Sequence, residues 1–94
     1  MPPMTLLTII TESILEDTMI DEITALGAKG YTIIEAHGCG THGLRTGKWS
    51  AGANIRIEVV GDTELCTRIV KKLQACYEEN YGLLMYTSTV ELQN

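Results

Sequence analysis

Apolar and polar positions divide this chain into six patterned segments, joined by short breaks and one long exception. Thr5 to Ile10, TLLTII, is an apolar, β-branched run and reads as a buried strand. From Ser13 the period lengthens. Leu15, Met19, Ile23 and Leu26 recur at three- and four-residue spacing, which predicts a helix with one apolar face. Ser13 and Glu16 have the spacing of a capping box, and acidic residues crowd the first turns, where the helix dipole favours them. Gly27 stands where a helix stop is expected. In GYTIIEAHG the period falls to two. Tyr31, Ile33 and Glu35 point one way, and Thr32, Ile34 and Ala36 the other, a second strand.

ANIRIEVV alternates in the same manner: Ile55, Ile57 and Val59 on one side, Asn54, Arg56 and Glu58 on the other. A second helix follows, capped by Asp62 or Thr63, with Cys66, Ile69, Leu73 and Cys76 as its apolar stripe and Gly82 after it. Leu83 to Leu92 is a fourth strand. The order βαββαβ is the ferredoxin-like plan of the α+β class, with two helices on one face of a four-stranded antiparallel sheet. Leu83, Met85 and Thr87 lie on one side of the last strand, and Leu84, Tyr86 and Ser88 on the other. Both sides are fairly apolar, so both faces of the sheet are expected to be buried, the second by further copies of the chain.

Composition narrows the function. At 94 residues the expectation is one domain, residues 1–94, with a modest core. A net charge of −5 with scattered basic residues argues against the basic patch of a nucleic-acid binder, and the absence of phenylalanine counts against an aromatic stacking platform. No apolar run approaches the ~20 residues of a membrane span, and MPPMTLLTIITES lacks the basic start and cleavage site of a signal peptide. Three cysteines, Cys39, Cys66 and Cys76, are odd in number and form no CxxC pair, as expected of free thiols in a cytoplasmic protein. Cys66 and Cys76 read as small hydrophobes of the helix stripe.

The exception is HGCGTHGLRTGKWSAG, His37 to Gly52, between the second and third strands. It holds five of the nine glycines, both histidines, Cys39 and the single tryptophan, Trp49. GCGTHG matches G-x-G-x-x-G, but no helical period follows the last glycine, so there is no helix N-terminus to face a pyrophosphate. GLRTGKW misses the phosphate-binding P-loop in spacing, and Trp49 stands where a magnesium-holding hydroxyl belongs. His37, Cys39 and His42 are a possible soft-metal set, but they fit no usual zinc spacing and lack a fourth ligand. A trimeric metal-binding protein using those three residues is the alternative reading. No triad partners and no paired carboxylates support an enzyme, so none is expected. What remains is a loop whose glycine N–H groups can converge on an anion, with Arg45 and Lys48 adding charge. Loops this long in compact domains are usually functional.

These residues resemble the PII signal-transduction family. Gly30, Thr32, Ile33, Glu35, Gly38 and Gly40 match its second strand, G-x-T-V-x-E-x-x-G-x-G, which runs into a long T-loop, here residues 38–53. ANIRIEVV resembles the strand after that loop. GAKGYT, the third strand and the start of the fourth are most similar to the PII-like branch associated with bicarbonate transport and carboxysomes, in which a T-loop arginine corresponds to Arg45. The resemblance implies a homotrimer binding adenine nucleotide between subunits, and signalling to a target protein, such as a bicarbonate transporter or carboxysome component, through T-loop ordering. It implies that Thr32, Gly38, Cys39, Gly40 and Thr41 line the cleft, that Arg45 holds a phosphate, and that Gly82 and Leu83 come from the turn before the last strand. Arg56 is a further candidate, with a solvated or interface arginine as the competing reading. Bicarbonate as co-ligand rests on the resemblance alone.

Departures from the family pattern shape the expected ligand. EENYGLL carries two acids where many relatives have glycine and lysine before the last strand. The C-terminal arginines of relatives have no counterpart before Asn94. Phosphates need compensating donors, so AMP or ADP is expected to bind at least as well as ATP, with cyclic AMP a further candidate. His42 and Asn54 replace the glutamine and lysine that relatives use with 2-oxoglutarate, which disfavours that ligand.

Overall fold

The computed structural model describes residues 3–38 and 53–94. Four strands, β1 (Pro3–Glu12), β2 (Thr32–Ala36), β3 (Asn54–Gly61) and β4 (Leu83–Glu91), form one sheet in the order β2-β3-β1-β4. All neighbouring pairs are antiparallel. Helix α1 (Glu16–Ala25) connects β1 to β2, and α2 (Thr63–Tyr77) connects β3 to β4. This is the ferredoxin-like arrangement expected from the segment order.

The core follows from strand alternation. Leu7 and Ile9 of β1, Ile55, Ile57 and Val59 of β3 and Leu83 of β4 point to one face. Met19 and Ile23 of α1 and Cys66, Ile69 and Leu73 of α2 cover them, and all are buried. Each such side chain contributes roughly 1.5–3 kcal/mol by leaving water. Thr11, also fully buried, donates its hydroxyl proton to the Gly82 carbonyl at 2.6 Å, which removes the cost of a polar group in the interior.

Two local expectations are corrected. The Ser13–Glu16 capping box does not form. β1 runs on to Glu12, and Ser13–Leu15 turn as a short 3-10 segment before α1 begins at Glu16. The Ser13 N–H goes to the Ala53 carbonyl at 3.0 Å, so a long-range contact replaces the local one that the box requires. Cys76 is exposed rather than part of the apolar stripe of α2. At ~100° per residue it falls roughly 80° from Cys66, whereas Tyr77 falls within about 20° and takes the inward position. Tyr77 packs against the core, while Cys66 is 1% exposed. Burial first, and Asp62 second, push the Cys66 thiol pKa up. The cap of α2 matches expectation: the Asp62 carboxylate accepts from the Leu65 N–H at 2.8 Å.

The turn that stops α1 after its C-cap Leu26 contains Gly27, whose φ of +113° belongs to a region that side chains rarely adopt. A Cβ there would meet Leu65 only at 3.8 Å, so the barrier to substitution is conformational and not steric. Gly27→Ala is expected to lower stability by about 1–2 kcal/mol. Gly30→Ala, where a Cβ meets nothing within 4 Å, is expected to leave stability unchanged or raise it by up to ~1 kcal/mol. Denaturant unfolding of the two variants checks this contrast, and equal losses would contradict it.

The helices are also joined by a side-chain bond. Tyr77 donates its hydroxyl proton to Glu22 at 2.5 Å. That bond, with burial and the Glu22 charge behind it, pushes the phenol pKa from 10 up to about 12. The neutral phenol is the form favoured in the folded chain, so the contribution to stability is fully present below pH 10. It is lost as the pH rises through about 12. The stability difference between the native chain and Tyr77→Phe should therefore shrink across that window. A difference constant to pH 12 would contradict it.

Candidate functional site: one end of the sheet

Chain direction decides which residues meet at the end of the sheet that faces the long loop. β1 and β2 both finish there, and β3 and β4 both start there. Ala36 pairs with Asn54, Glu12 also pairs with Asn54, and Thr11 pairs with Leu83. His37 and Gly38 continue from Ala36 and are exposed, and a Cβ on Gly38 would meet nothing within 4 Å. The base of the loop and the turn before β4 thus share one rim.

Hydrogen bonds between remote segments hold that rim. The Ser13 N–H reaches the Ala53 carbonyl at 3.0 Å and fixes the start of β3 against the end of β1. Thr11 Oγ1 donates to the Gly82 carbonyl at 2.6 Å. The Gly82 N–H donates to Glu12 Oε2 at 2.7 Å. Consecutive residues of β1 therefore grip both polar groups of a glycine some seventy positions away (|i−j| of 71 and 70). Tyr81 sits behind the turn, its ring centroid 6.3 Å from that of Tyr77. Thr11 and Glu12 were missed from sequence. The available signal was a polar pair that ends an otherwise apolar strand.

The residues expected from sequence distribute unevenly. Gly38, Gly82 and Leu83 lie at this rim, Gly82 and Leu83 buried and Gly38 open. Cys39, Gly40, Thr41 and Arg45 lie outside the described residues, as do His42 and Trp49. Thr32 is exposed at the far end of β2, opposite Glu58, roughly 13 Å along the strand from Ala36. Within one chain it does not join the rim. Arg56 lies on the sheet face without helices, opposite Ile10 and Ile34, and pairs with Glu58 at 3.6 Å. That separation makes an ion pair looser than a hydrogen bond. Of the metal set, His37 alone is described, and among the described residues no group of three His, Cys, Asp or Glu could hold an ion.

The helix-free face completes the picture. Ile34, Val60, Leu84 and Tyr86 are 39–50% exposed there, with Leu6 and Ile10 half-buried between them. Exposed apolar side chains of this kind, set around the Arg56–Glu58 pair, are a candidate association surface. Beside it, α2 and β4 border a groove of about 330 Å³ lined by Val70, Gln74, Glu78 and Leu83 to Thr87. Its one charged lining residue is Glu78, which suits it poorly to a phosphate. No helix among the described residues is long and apolar enough to cross a membrane.

Similar proteins agree with this layout. A protein from Thermus thermophilus, described as PII-like and signaling, is 40% identical, with a TM-score of 0.78 over 94% of this chain and 86% of that one. The nitrogen regulatory PII-like protein CPII from Thiomonas intermedia K12, bound to ADP and bicarbonate, is 26% identical, with a TM-score of 0.80 over 99% of this chain and 91% of that one. CPII bound to ADP, AMP and acetate superposes with a TM-score of 0.81 at 24% identity, over 98% of this chain and 90% of that one, and speaks for the fold. The family model for nitrogen regulatory protein P-II matches residues 4–92. This chain belongs to the P-II family.

Proposed function

We propose that the chain is a PII-like regulatory sensor, not an enzyme, that binds adenine nucleotide in clefts between the subunits of a homotrimer. The observation that carries this reading is the shared rim: the loop base at Ala36–Gly38 and Ala53 meets the Gly82–Leu83 turn, bonded through Thr11, Glu12 and Ser13. Similarity to CPII, a protein bound to ADP and bicarbonate, supports the ligand class. The exposed apolar face supports the assembly. Thr32, remote from the rim of its own chain, would then serve the cleft of a neighbouring subunit. Gly38, Cys39, Gly40, Thr41, Gly82 and Leu83 would line each cleft, with Arg45 on a phosphate.

AMP and ADP are the favoured ligands. Bicarbonate is the co-ligand, bridging loop amides and phosphate oxygens. The T-loop, residues 38–53 of a single domain, rearranges around the bound ligand and creates or hides a surface for a target protein. The signal concerns energy and inorganic-carbon status in the cytoplasm, with a bicarbonate transporter or carboxysome component as the kind of target. Arg56 is the weaker candidate for the cleft; paired with Glu58 on the sheet face, it would also suit the subunit interface.

Calorimetric titration with AMP, ADP, ATP and cyclic AMP, with and without bicarbonate, tests the reading. Binding is expected and is expected to be lost in Arg45→Ala; no heat with any nucleotide would overturn it. Sedimentation tests the assembly. The native chain should run as a trimer. Leu84→Asp, which places a charge on the apolar face, should dissociate it and abolish nucleotide binding in the same preparation. Full binding by a monomeric variant would place the site within one chain.

A further inference from the structure

At the rim, the Gly82 N–H is already occupied. A glycine amide beside an open cleft is the kind of donor that takes up a phosphate oxygen, since no side chain blocks the approach. Here it donates to the Glu12 carboxylate at 2.7 Å instead. The turn is not free to rotate the N–H away. Gly82 is buried, and its carbonyl is held by Thr11, itself fully buried, at 2.6 Å. A ligand at this rim therefore meets a fixed negative charge where it would otherwise meet a donor. Glu78 and Glu79, exposed on the segment that leads into the same turn, add to that field. Arg56 lies against Glu58 at 3.6 Å on the sheet face, and no ion pair between Arg56 and Glu12 forms among the described residues.

We propose that Glu12 is a specificity residue: its carboxylate, held on the Gly82 N–H, sets the cleft's preference for nucleotides of low phosphate charge. The inference rests on the adenine-nucleotide reading above and adds a physical cause to the ranking of ligands. Repulsion between like charges a few ångströms apart grows with each added phosphate and is only partly screened at a half-exposed site. AMP suffers least and ATP most. Glu12 is half-buried, so its charge is less screened than that of the exposed acids around it.

The test compares AMP and ATP binding to the native chain, Glu12→Gln and Thr11→Val, in magnesium-free buffer at low and at high salt. Glu12→Gln keeps an oxygen to accept the Gly82 N–H and removes only the charge. Its affinity for ATP is expected to rise several-fold more than its affinity for AMP, and this gain should shrink as salt rises. Thr11→Val loosens the same turn without altering charge, so it should leave the ratio of ATP to AMP affinity where it was. Thermal melts confirm that each variant is folded. An unaltered ratio in Glu12→Gln overturns the inference and leaves nucleotide binding standing. An equal shift in Thr11→Val also overturns it, because turn position and not charge would then set the preference. If none of the proteins binds either nucleotide, the nucleotide reading fails and the inference fails with it.

Discussion

The structure depends on β1 being hydrogen-bonded along both edges. It pairs with β3 from Thr5 to Glu12 and with β4 from Pro3 to Thr11. That double pairing fixes the register of the whole sheet, and a slip of one residue would turn Leu7 and Ile9 out of the core and Leu6 and Ile10 into it. It also fixes where β1 ends. Because Thr11 and Glu12 finish the strand beside the starts of β3 and β4, they can hold segments that are remote in sequence. A fully buried threonine can stabilise the turn before β4 because its hydroxyl finds a carbonyl at 2.6 Å.

The two faces of the sheet have different tasks. The helix-covered face supplies the core, from Met19 and Ile23 on one helix to Ile69 and Leu73 on the other. The open face keeps Ile34, Val60, Leu84 and Tyr86 accessible around the Arg56–Glu58 pair. An open apolar face is unfavourable for an isolated chain in water, which is why the assembly and the ligand cleft are linked in the proposed function.

Charge gives the rim its chemical character. The chain carries more acid than base, with a net charge of −5. A glycine amide engaged by a carboxylate, next to a turn with further acids, is a setting in which an anionic ligand must compete for its donors. Under the proposed function such a site would discriminate by charge as well as by shape, because electrostatic repulsion scales with phosphate number while contacts to the base and ribose do not.

Periodicity and glycine placement determined the four strands, the two helices, most inward-facing residues and the stop of the first helix beside Gly27, because each depends on alternation or on the local conformational freedom of glycine; the second helix instead stops at Tyr77, ahead of Gly82. It also marked residues 37–52 as the segment unsuited to a core. Spacing misjudged Cys76, since a stripe read every three or four residues does not say which of two marginal positions turns inward, and the neighbouring Tyr77 filled it. It misjudged the capping box for a different reason. Ser13 had a local partner in Glu16 and a distant one in Ala53, and only the closed sheet brings the distant one within 3.0 Å. The bonds from Thr11 and Glu12 to Gly82 are the extreme case. No local rule relates residues seventy apart, and their partnership exists because antiparallel pairing lays the end of one strand beside the start of another.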